Sequence, residues 1–305
     1  MNRMGIDETM TSFDIKAYLR EKREIIDSYL KLYFDKPSSP QVLHDAMQYS
    51  LLAGGKRVRP ILALAAYEAC GGNAAQILPQ AASLELIHTY SLIHDDLPAM
   101  DNDDLRRGKP TNHKVFGEAM AVLAGDALLT EAFLMITDTT AKVKASSLLK
   151  AVREVALSAG AYGMVGGQVQ DILSENVEPD KDTLEFIHLH KTAALITASV
   201  KVGAILANSG KNRLKALTRY GENIGLAFQI IDDILDVEGS TEELGKSAGS
   251  DKKKRKMTYP ALFGVEGARQ KAEDLISGAV YALRIFSSEA EPLRGIAGYL
   301  MNRRT

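Results

Sequence analysis

The chain has 305 residues, of which 46% are hydrophobic and 25% are charged, and its formal net charge is -2. Such a sequence can bury a substantial core as one large domain or two small ones, and its charge balance argues against broad nucleic-acid affinity. The single cysteine, Cys70, excludes an internal disulfide and a cysteine metal cluster. A reducing cytosol suits this composition, so we expect a cytoplasmic protein without a nucleic-acid partner.

No targeting or membrane-spanning segment is expected. Residues 1–20 contain acidic side chains and lack the apolar core of a signal peptide. No stretch approaches the ~18 uninterrupted apolar residues of a transmembrane helix. The sequence therefore predicts no transmembrane segment.

Hydrophobic residues recur at helical spacing along almost the whole chain, and no run alternates with the period of two expected of a strand. Ser39 and Pro40 predict the start of one helix, as N-cap and first helical residue, which Gly54 and Gly55 end. Later helices are predicted over residues 59–71, 79–96, 118–138, 146–173, 181–208 and 215–237, and through the C-terminal tail. The sequence thus predicts a single all-α domain over residues 1–305, a bundle of roughly ten helices.

Two aspartate-rich clusters lie at the ends of two of these helices. They read Asp95-Asp96-Leu97-Pro98-Ala99-Met100-Asp101 and Asp232-Asp233-Ile234-Leu235-Asp236. Carboxylates are costly to bury unless they are paired or bound to metal, so two clusters of one sign in an apolar chain require cations between them. Carboxylate oxygens, with phosphates completing the shell, suit Mg²⁺. We therefore expect a Mg²⁺-diphosphate site inside the bundle.

The second cluster continues a polar stripe along its helix. The spacing i, i+4, i+7 and i+11 places four residues on one face: Gly225, Gln229, Asp232 and Asp236. A solvent face with two acids would explain the stripe without a site. Glycine is costly inside a helix, however, so Gly225 indicates that another group must pass close to the backbone there.

The first cluster has a similar stripe, followed by a turn. One face of the helix over residues 79–96 carries Leu84, His88, Ser91 and Asp95. Pro98 disfavours helical geometry at Leu97, so Asp101 must return through a turn if it is to join Asp95 on one ion. An acidic surface loop over residues 101–104 is the alternative.

Basic residues stand where anions would need them. The segment Gly54-Gly55-Lys56-Arg57-Val58-Arg59 is a glycine-led turn before a helix, and its N–H groups and cations suit a phosphate. A connecting turn with solvated charges is the alternative. Arg106-Arg107-Gly108 closely follows the first acidic cluster, where arginine could hold a diphosphate. Weaker candidates, which structural pairs explain equally well, are Lys191-Thr192, Gln168, Asp171, Asp126 and Lys246.

These motifs resemble, in order and spacing, those of the trans-prenyl diphosphate synthases. The resemblance runs from about residue 41 to residue 262. Its motifs are GGKRVRP at 54–60, HTYSLIHDDLPAMD at 88–101, RRG at 106–108, LAGDAL at 123–128, GMVGGQVQD at 163–171, HKT at 190–192, AFQIIDDILD at 227–236, LGK at 244–246 and TYPAL at 258–262.

The resemblance implies the isoprenoid synthase fold, an all-α bundle around a central cavity, and a homodimer. It implies a Mg²⁺-dependent head-to-tail 1'-4 condensation of isopentenyl diphosphate with dimethylallyl or geranyl diphosphate. Three Mg²⁺ ions are expected with substrate bound, with Mn²⁺ as the substitute ion. In the family, the departing diphosphate takes the proton that is lost, so no protein base is required.

Residue roles carry over by position. The expected metal ligands are Asp95, Asp101 and Asp232, supported by Asp96 and Asp236. The positions that match the isopentenyl diphosphate site are Lys56, Arg59, His88 and Arg107, with Gly55 in the turn. Those that match the allylic diphosphate site are Arg106, Lys191, Lys246 and Lys256. Thr192 and Gln229 match positions whose oxygens face the developing carbocation. The basic run over residues 252–256 is a predicted lid element, and Arg303 and Arg304 could also fold over the site.

Product length is expected to depend on residues about one turn below Asp95. Ser91 lies on the Asp95 stripe and does not block it. Tyr90 is an aromatic residue five positions before the first aspartate, a pattern that in the family accompanies a C15 product. The closest resemblance is therefore to the bacterial-type farnesyl diphosphate synthases, and (2E,6E)-farnesyl diphosphate is the expected product.

Three alternatives remain. A geranylgeranyl or geranyl diphosphate synthase would share the mechanism and differ in the tunnel floor. A terpene cyclase needs no isopentenyl diphosphate site, so the intact basic set argues against it. A non-catalytic partner subunit would have little reason to retain two complete aspartate clusters.

Overall fold

The structure is a computed structural model that describes residues 13–36, 40–138, 143–175, 177–178, 180–238 and 257–301. Over these residues the chain is almost wholly helical, as predicted. Its α-helices are α1 (Ile15–Tyr33), α2 (Gln41–Leu51), α3 (Val58–Ala69), α4 (Leu78–Asp95), α5 (Asn112–Phe116), α6 (Glu118–Ile136), α7 (Ala145–Ala159), α8 (Met164–Leu173), α9 (Lys181–Ile187), α10 (Ala194–Leu206), α11 (Lys211–Glu238), α12 (Tyr259–Ala282) and α13 (Glu291–Met301). A π-helical segment, His188–Ala193, joins α9 to α10, and 3-10 turns span Ala74–Ile77, Leu283–Ile285 and Ser288–Ala290.

The centre of the bundle consists of helices that are apolar on nearly every side. Helices α3, α4 and α10 bury most of their residues, which is the pattern of a core helix rather than of a surface one. Helix α10 packs on both α3 and α11. A Cβ atom at Gly203 of α10 would lie 2.9 Å from the Ala66 side chain of α3, so glycine sets the close spacing of these two helices.

Two helical stretches, Glu118–Ile136 and Lys181–Leu206, are long and apolar enough to cross a membrane by length and composition alone. In the most apolar 18-residue window of each stretch, 39% of the residues (Glu118–Ile136) and 56% (Lys181–Leu206) are buried within the bundle. Core helices of soluble proteins have the same composition. The outer face of α6 stays apolar and exposed at Val122, Leu123 and Leu134.

The helix predicted over residues 146–173 is in fact two helices, α7 and α8. Gly160 and Gly163 separate them with backbone angles outside the helical region. A Cβ atom at Gly163 would lie 2.8 Å from the Cα atom of Ser158, so the chain can turn back here only with glycine. Continuous helical periodicity on both sides concealed this break.

Three further predictions need correction. Pro40 is the N-cap of α2 rather than its first helical residue. The helix predicted over residues 181–208 contains the π-helical segment. Helix α1 was not predicted, although Asp14 caps it by accepting a hydrogen bond from the Ala17 N–H at 3.0 Å, a signal that the sequence carries.

A short hairpin interrupts the helices after α4. Strand β1 (Leu105–Arg106) pairs antiparallel with β2 (Lys109–Pro110). Arg107 and Gly108 between them have φ values of 53° and 74°, and positive φ at both positions is typical of a type I′ turn. The period-two criterion missed the hairpin because each strand has only two residues.

Candidate active site

The first aspartate cluster turns back on itself as Pro98 led us to expect. Helix α4 ends at Asp95, and the Asp101 N–H donates to the Asp95 carbonyl at 2.8 Å. Asn102, with φ at 52°, completes the reversal in the left-handed region that asparagine tolerates. Asp95 and Asp101 are therefore neighbours at one end of α4.

Asp96 has a different role in this turn, because it anchors Arg106. The Arg106 Nε–H donates to both carboxylate oxygens of Asp96, at 2.7 and 3.0 Å. Asp96 is only 3% exposed. Burial raises the pKa of its carboxyl above the usual value, although Arg106 acts in the opposite direction. Asp96 thus fixes the hairpin that carries Arg106 against the end of α4.

The glycine-led turn before α3 is held by Arg57. Arg57 is 2% exposed and adopts the left-handed region as the N-cap of α3. Its guanidinium donates to Asp27 at 2.7 Å, to Glu85 at 2.7 Å and to the Leu51 carbonyl at 2.8 Å. Through these three bonds Arg57 fixes the loop that precedes α3.

Arg107 packs directly over Gly55. A Cβ atom at Gly55 would lie 2.8 Å from the Arg107 guanidinium carbon, and Gly55 has a φ of 135°. Arg107 also donates to the Gly54 carbonyl, and it lies 4.0 Å from Glu85. Glycine in this turn therefore makes room for an arginine from the hairpin.

Arg59 and His88 lie among these cations. Their heads are enclosed, although each residue retains some accessible surface. Burial lowers the pKa of Arg59 to about 10, against the opposing effect of Glu85 and Asp232. Burial, followed by Arg59 and Arg107, lowers the pKa of His88 well below its usual value. His88 is therefore neutral in a positive environment that favours an anion.

The π-helical segment brings Lys191 and Thr192 to two different partners. The Lys191 ammonium donates to Asp171 of α8 at 2.6 Å, and the Thr192 hydroxyl donates to Gln229 of α11 at 2.7 Å. Such π segments occur frequently at functional sites. This one places a cation and a hydroxyl at successive positions of the chain.

Two glycines allow this segment to approach its neighbours. A Cβ atom at Gly167 of α8 would lie 2.6 Å from the Cα atom of Lys191, and one at Gly225 of α11 would lie 2.6 Å from the Cβ atom of Ala193. The close approach expected at Gly225 therefore exists, and the approaching group is Ala193 of the π-helical segment.

The second aspartate cluster occupies the C-terminal part of α11. Asp232 is half-buried, whereas Asp233 and Asp236 are 3% and 5% exposed. Gln229, one turn earlier, donates its Nε2–H to Asp233 at 3.0 Å. Arg59 is within electrostatic reach of Asp232 and of Arg107. Arg107 is in turn within reach of Arg106, and Arg106 is within reach of Asp95, so both clusters border one charged region.

The fit of these residues to a divalent cation rests on donor chemistry. No group of three His, Cys, Asp or Glu side chains stands ready to hold a metal among the described residues. The Asp95–Asp101 turn and Asp232 offer hard oxygen ligands, which suit Mg²⁺ when substrate phosphates complete its shell. The residues therefore fit ions that arrive with a diphosphate.

The two residues predicted to set product length differ in surroundings. Tyr90 is 6% exposed, and its ring meets that of His94 edge-on at 5.8 Å. His94 lies against Val122 and Gly125 of α6. The Ser91 hydroxyl donates to the His88 carbonyl at 2.9 Å, so the residue on the Asp95 stripe is small and locally bonded.

A cavity of about 350 Å³ adjoins the glycine-led turn. It includes Lys56 in its lining, together with Val58 and Phe228, and a basic side formed by Lys16, Arg20 and Arg23 of α1. None of the aspartates of the two clusters lines it. The cavity therefore lies beside the region between the two aspartate clusters rather than within it.

Several predicted site residues lie outside the described residues: Lys246, Lys256, the basic run over 252–256, Arg303 and Arg304. Four further residues shape the site but were not predicted to do so: Glu85, Arg57, His188 and Tyr259. The motif that contains Arg57 was recognised, but sequence alone cannot tell which of its cations points inward.

Comparison with known proteins identifies the family. The polyprenyl synthetase family matches residues 40–284. A geranylgeranyl diphosphate synthase of Cyanophora paradoxa is 48% identical over 294 residues, which are 96% of this chain and 98% of that protein. A chloroplastic geranylgeranyl pyrophosphate synthase of Capsicum annuum is 50% identical over 303 residues, 99% of this chain and 82% of that protein. A solved FPP/GFPP synthase of Zymomonas mobilis superposes with a TM-score of 0.84 at 37% identity, covering 94% of this chain and 98% of that one.

The helical bundle has the isoprenoid synthase fold of these relatives and is the scaffold of a prenyltransferase. The chain belongs to the polyprenyl synthetase family, among the trans-prenyl diphosphate synthases.

Proposed function

We propose that the protein condenses isopentenyl diphosphate with allylic diphosphates in a Mg²⁺-dependent reaction and releases geranylgeranyl diphosphate. The observation that carries this proposal is the 48–50% identity, over nearly the whole chain, to two geranylgeranyl diphosphate synthases. The expected farnesyl product is therefore the second candidate, and the mechanism is common to both.

Two groups of cations bind the two diphosphates. Isopentenyl diphosphate is held by Lys56, Arg59 and Arg107, with neutral His88 available as a hydrogen-bond donor. The allylic diphosphate is held by Arg106 and Lys191, joined by Lys246 and Lys256. Arg106 and Lys191 are oriented in advance by Asp96 and Asp171, which limits the conformational entropy lost on binding.

The reaction breaks the allylic C–O bond and forms a C–C bond. Asp95, Asp101 and Asp232 would hold magnesium ions, which would supply positive charge against the departing diphosphate. Asp236 supports this set. Thr192 and Gln229 present oxygens to the allylic carbon as it becomes positive, and apolar walls exclude water. The double bond of isopentenyl diphosphate then attacks, and the departing diphosphate takes the released proton.

The surroundings of Ser91 support a C20 product. At 3.6 residues per turn, Ser91 lies about 40° from Asp95 around α4, whereas Tyr90 lies about 140° away. Tyr90 packs on His94 at the α6 side. The residue beneath the metal ligands is thus a serine, which leaves room for a longer chain.

A C15 product is favoured by one observation, the buried aromatic ring of Tyr90. If that ring closes the tunnel, Tyr90→Ala must lengthen the product beyond that of the unmodified protein. Product lengths of the two proteins, measured side by side after dephosphorylation, separate the two candidates. An unchanged product in the variant contradicts the Tyr90 floor.

Substitution of the aspartates tests the mechanism. Asp95→Asn and Asp232→Asn each remove one charged ligand and should reduce kcat by about 10²-fold or more. Asp182→Asn, at an exposed position of α9, is the matched control and should retain full activity. Equal activity of all three variants would contradict the proposed metal ligands.

We also propose a cytoplasmic homodimer. The outer faces of α6 and α8 expose apolar side chains at Leu123, Leu134, Val165, Val169 and Leu173, and apolar surface left exposed in this way favours a protein partner. Light scattering should give twice the 33.2 kDa chain mass. Leu134→Glu should reduce that mass, whereas Leu32→Glu on α1 should not. A monomer at micromolar concentration would contradict the proposal.

A further inference from the structure

We infer that Asp233 is a positioning residue, which orients the Gln229 amide so that its oxygen, and not its N–H group, faces the reacting carbon. The inference rests on the proposed function, because that function places Gln229 and Thr192 at the allylic carbon. The basis is a chain of hydrogen bonds, buried at Asp233 and partly buried at Gln229 and Thr192, that runs from the start of α12, through α11, to the π-helical segment. Asp233 lies at its centre.

The first part of the chain fixes the Gln229 amide. Its Nε2–H donates to Asp233 Oδ1 at 3.0 Å, and its Oε1 accepts from the Thr192 hydroxyl at 2.7 Å. A carboxylate only accepts hydrogen bonds, so the amide must turn its nitrogen toward Asp233. Its oxygen therefore faces Thr192, and the Thr192 hydrogen is directed away from any positive charge beyond it.

The second part ties Asp233 to α12. Asp233 Oδ2 accepts the Tyr259 N–H at 3.0 Å, and Tyr259 is the first residue of that helix. The N-cap of α12, Thr258, makes no capping bond with its own side chain. Asp233 therefore supplies the acceptor that a helix N-terminus requires, and its charge suits that end of the helix.

The third part connects Asp233 to the π-helical segment. His188 Nε2, in the first residue of that segment, lies 3.4 Å from Asp233 Oδ2. The His188 ring stacks on that of Tyr259, with centroids 5.4 Å apart. Asp233, His188 and Tyr259 are each less than 5% exposed, so water cannot replace one of these partners at low cost.

Only a carboxylate can serve both parts. Two N–H groups, from Gln229 and Tyr259, meet two different oxygens of Asp233. Asparagine has one oxygen, so Asp233→Asn must lose one of these bonds or turn the Gln229 amide over. A turned Gln229 amide would present N–H groups to the developing positive charge. These N–H groups would oppose the formation of that charge.

A double-mutant cycle tests the inference. Asp233→Asn in the unmodified protein should lower kcat at least tenfold while the KM for isopentenyl diphosphate changes less than threefold. In a Gln229→Leu background, which has no amide to orient, Asp233→Asn should change kcat less than twofold. Glu154→Gln, which removes a part-buried carboxylate from its pair with Lys201 between α7 and α10, controls for the loss of a carboxylate elsewhere in the bundle.

The outcomes are distinct. If Asp233→Asn reduces kcat equally in both backgrounds, the substitution acts on stability alone and the inference is overturned. Full activity of the single variant Asp233→Asn would also overturn it. If Asp233→Asn fails to fold, Asp233→Glu, which keeps both oxygens but displaces them by one methylene, replaces it in the cycle, and equal reductions of kcat in the two backgrounds overturn the inference in the same way. Absence of condensation product from the unmodified protein would overturn the proposed function, and the inference with it.

Discussion

Arg57 shows how a single residue of a recognised motif can serve the fold. Its guanidinium is almost completely buried and bonds to Asp27, Glu85 and a backbone carbonyl. Nearly all of Glu85 is buried as well. Removal of one partner of a buried ion pair leaves an uncompensated charge, so this residue should matter for stability before it matters for catalysis.

We expect Arg57→Leu to lower the free energy of unfolding by about 3 kcal/mol. Arg269→Leu, which breaks the exposed pair with Glu238, should cost less than about 1 kcal/mol. Denaturant titration of the three proteins measures both effects. Equal losses in the two variants would contradict the role assigned to Arg57.

His188 should make stability depend on pH. Burial lowers its pKa from 6.5 to about 3; Asp171 opposes this shift, and Lys191 adds to it. Its 3.4 Å contact with Asp233 is therefore one between a neutral ring and a carboxylate that already accepts the Tyr259 N–H. The unfolded chain takes up a proton on His188 below about pH 6.5, whereas the folded protein does so only near pH 3. Stability is therefore lost as the pH falls through this window.

His188→Phe keeps an aromatic ring beside Tyr259 and removes the titration. Relative to the unmodified protein, the variant should gain about 2 kcal/mol of stability between pH 7 and pH 5. Thermal unfolding of both proteins across this range measures the difference. A difference that does not change with pH would show that His188 titrates normally in the folded protein.

Among the elements, the π-helical segment depends most on its spacing from the neighbouring helices. Gly167 and Gly225 border it on two sides, and neither has room for a Cβ atom. A helix or segment that is forced outward here would move Lys191 away from Asp171 and Thr192 away from Gln229. Both proposed contacts to the allylic substrate depend on this spacing.

Gly225→Ala should therefore lower the free energy of unfolding by about 1–3 kcal/mol and reduce kcat by about tenfold or more. Gly210→Ala, which has no atom within 4 Å of the added Cβ, is the matched control. Stability and steady-state kinetics of both variants test this. An active, stable Gly225→Ala protein would contradict the close packing.

The elements also show what the sequence could and could not predict. Helical periodicity predicted α2, α3, α4, α6 and α11 nearly to their ends, because amphipathic spacing and proline or glycine at the boundaries are local signals. The break at Gly160 and Gly163 and the π-helical segment escaped prediction, since both depend on which neighbouring backbone lies against a glycine. Helical spacing singled out Asp232 but gave no role to Asp233, because its partner, the Tyr259 N–H, comes from a distant part of the chain.

At the scale of the whole molecule, the fold brings two charged regions to a common place. The Asp95–Asp101 turn, the Arg106–Arg107 hairpin and the glycine-led turn meet around α3 and α4, and Asp232 reaches this region from α11. The motifs are separated by long stretches of sequence, and only the bundle joins them. The charge of the two aspartate clusters and the family resemblance predicted this meeting, whereas composition and periodicity predicted the helices.

Product chain length tests the central claim most directly. The purified protein is incubated with Mg²⁺, labelled isopentenyl diphosphate and dimethylallyl, geranyl or farnesyl diphosphate, and the dephosphorylated alcohols are separated. We predict geranylgeraniol as the main product from all three primers, with none in EDTA. Farnesol as the end product, with farnesyl diphosphate not elongated, would contradict the C20 assignment. No condensation with any primer would contradict the proposed function itself.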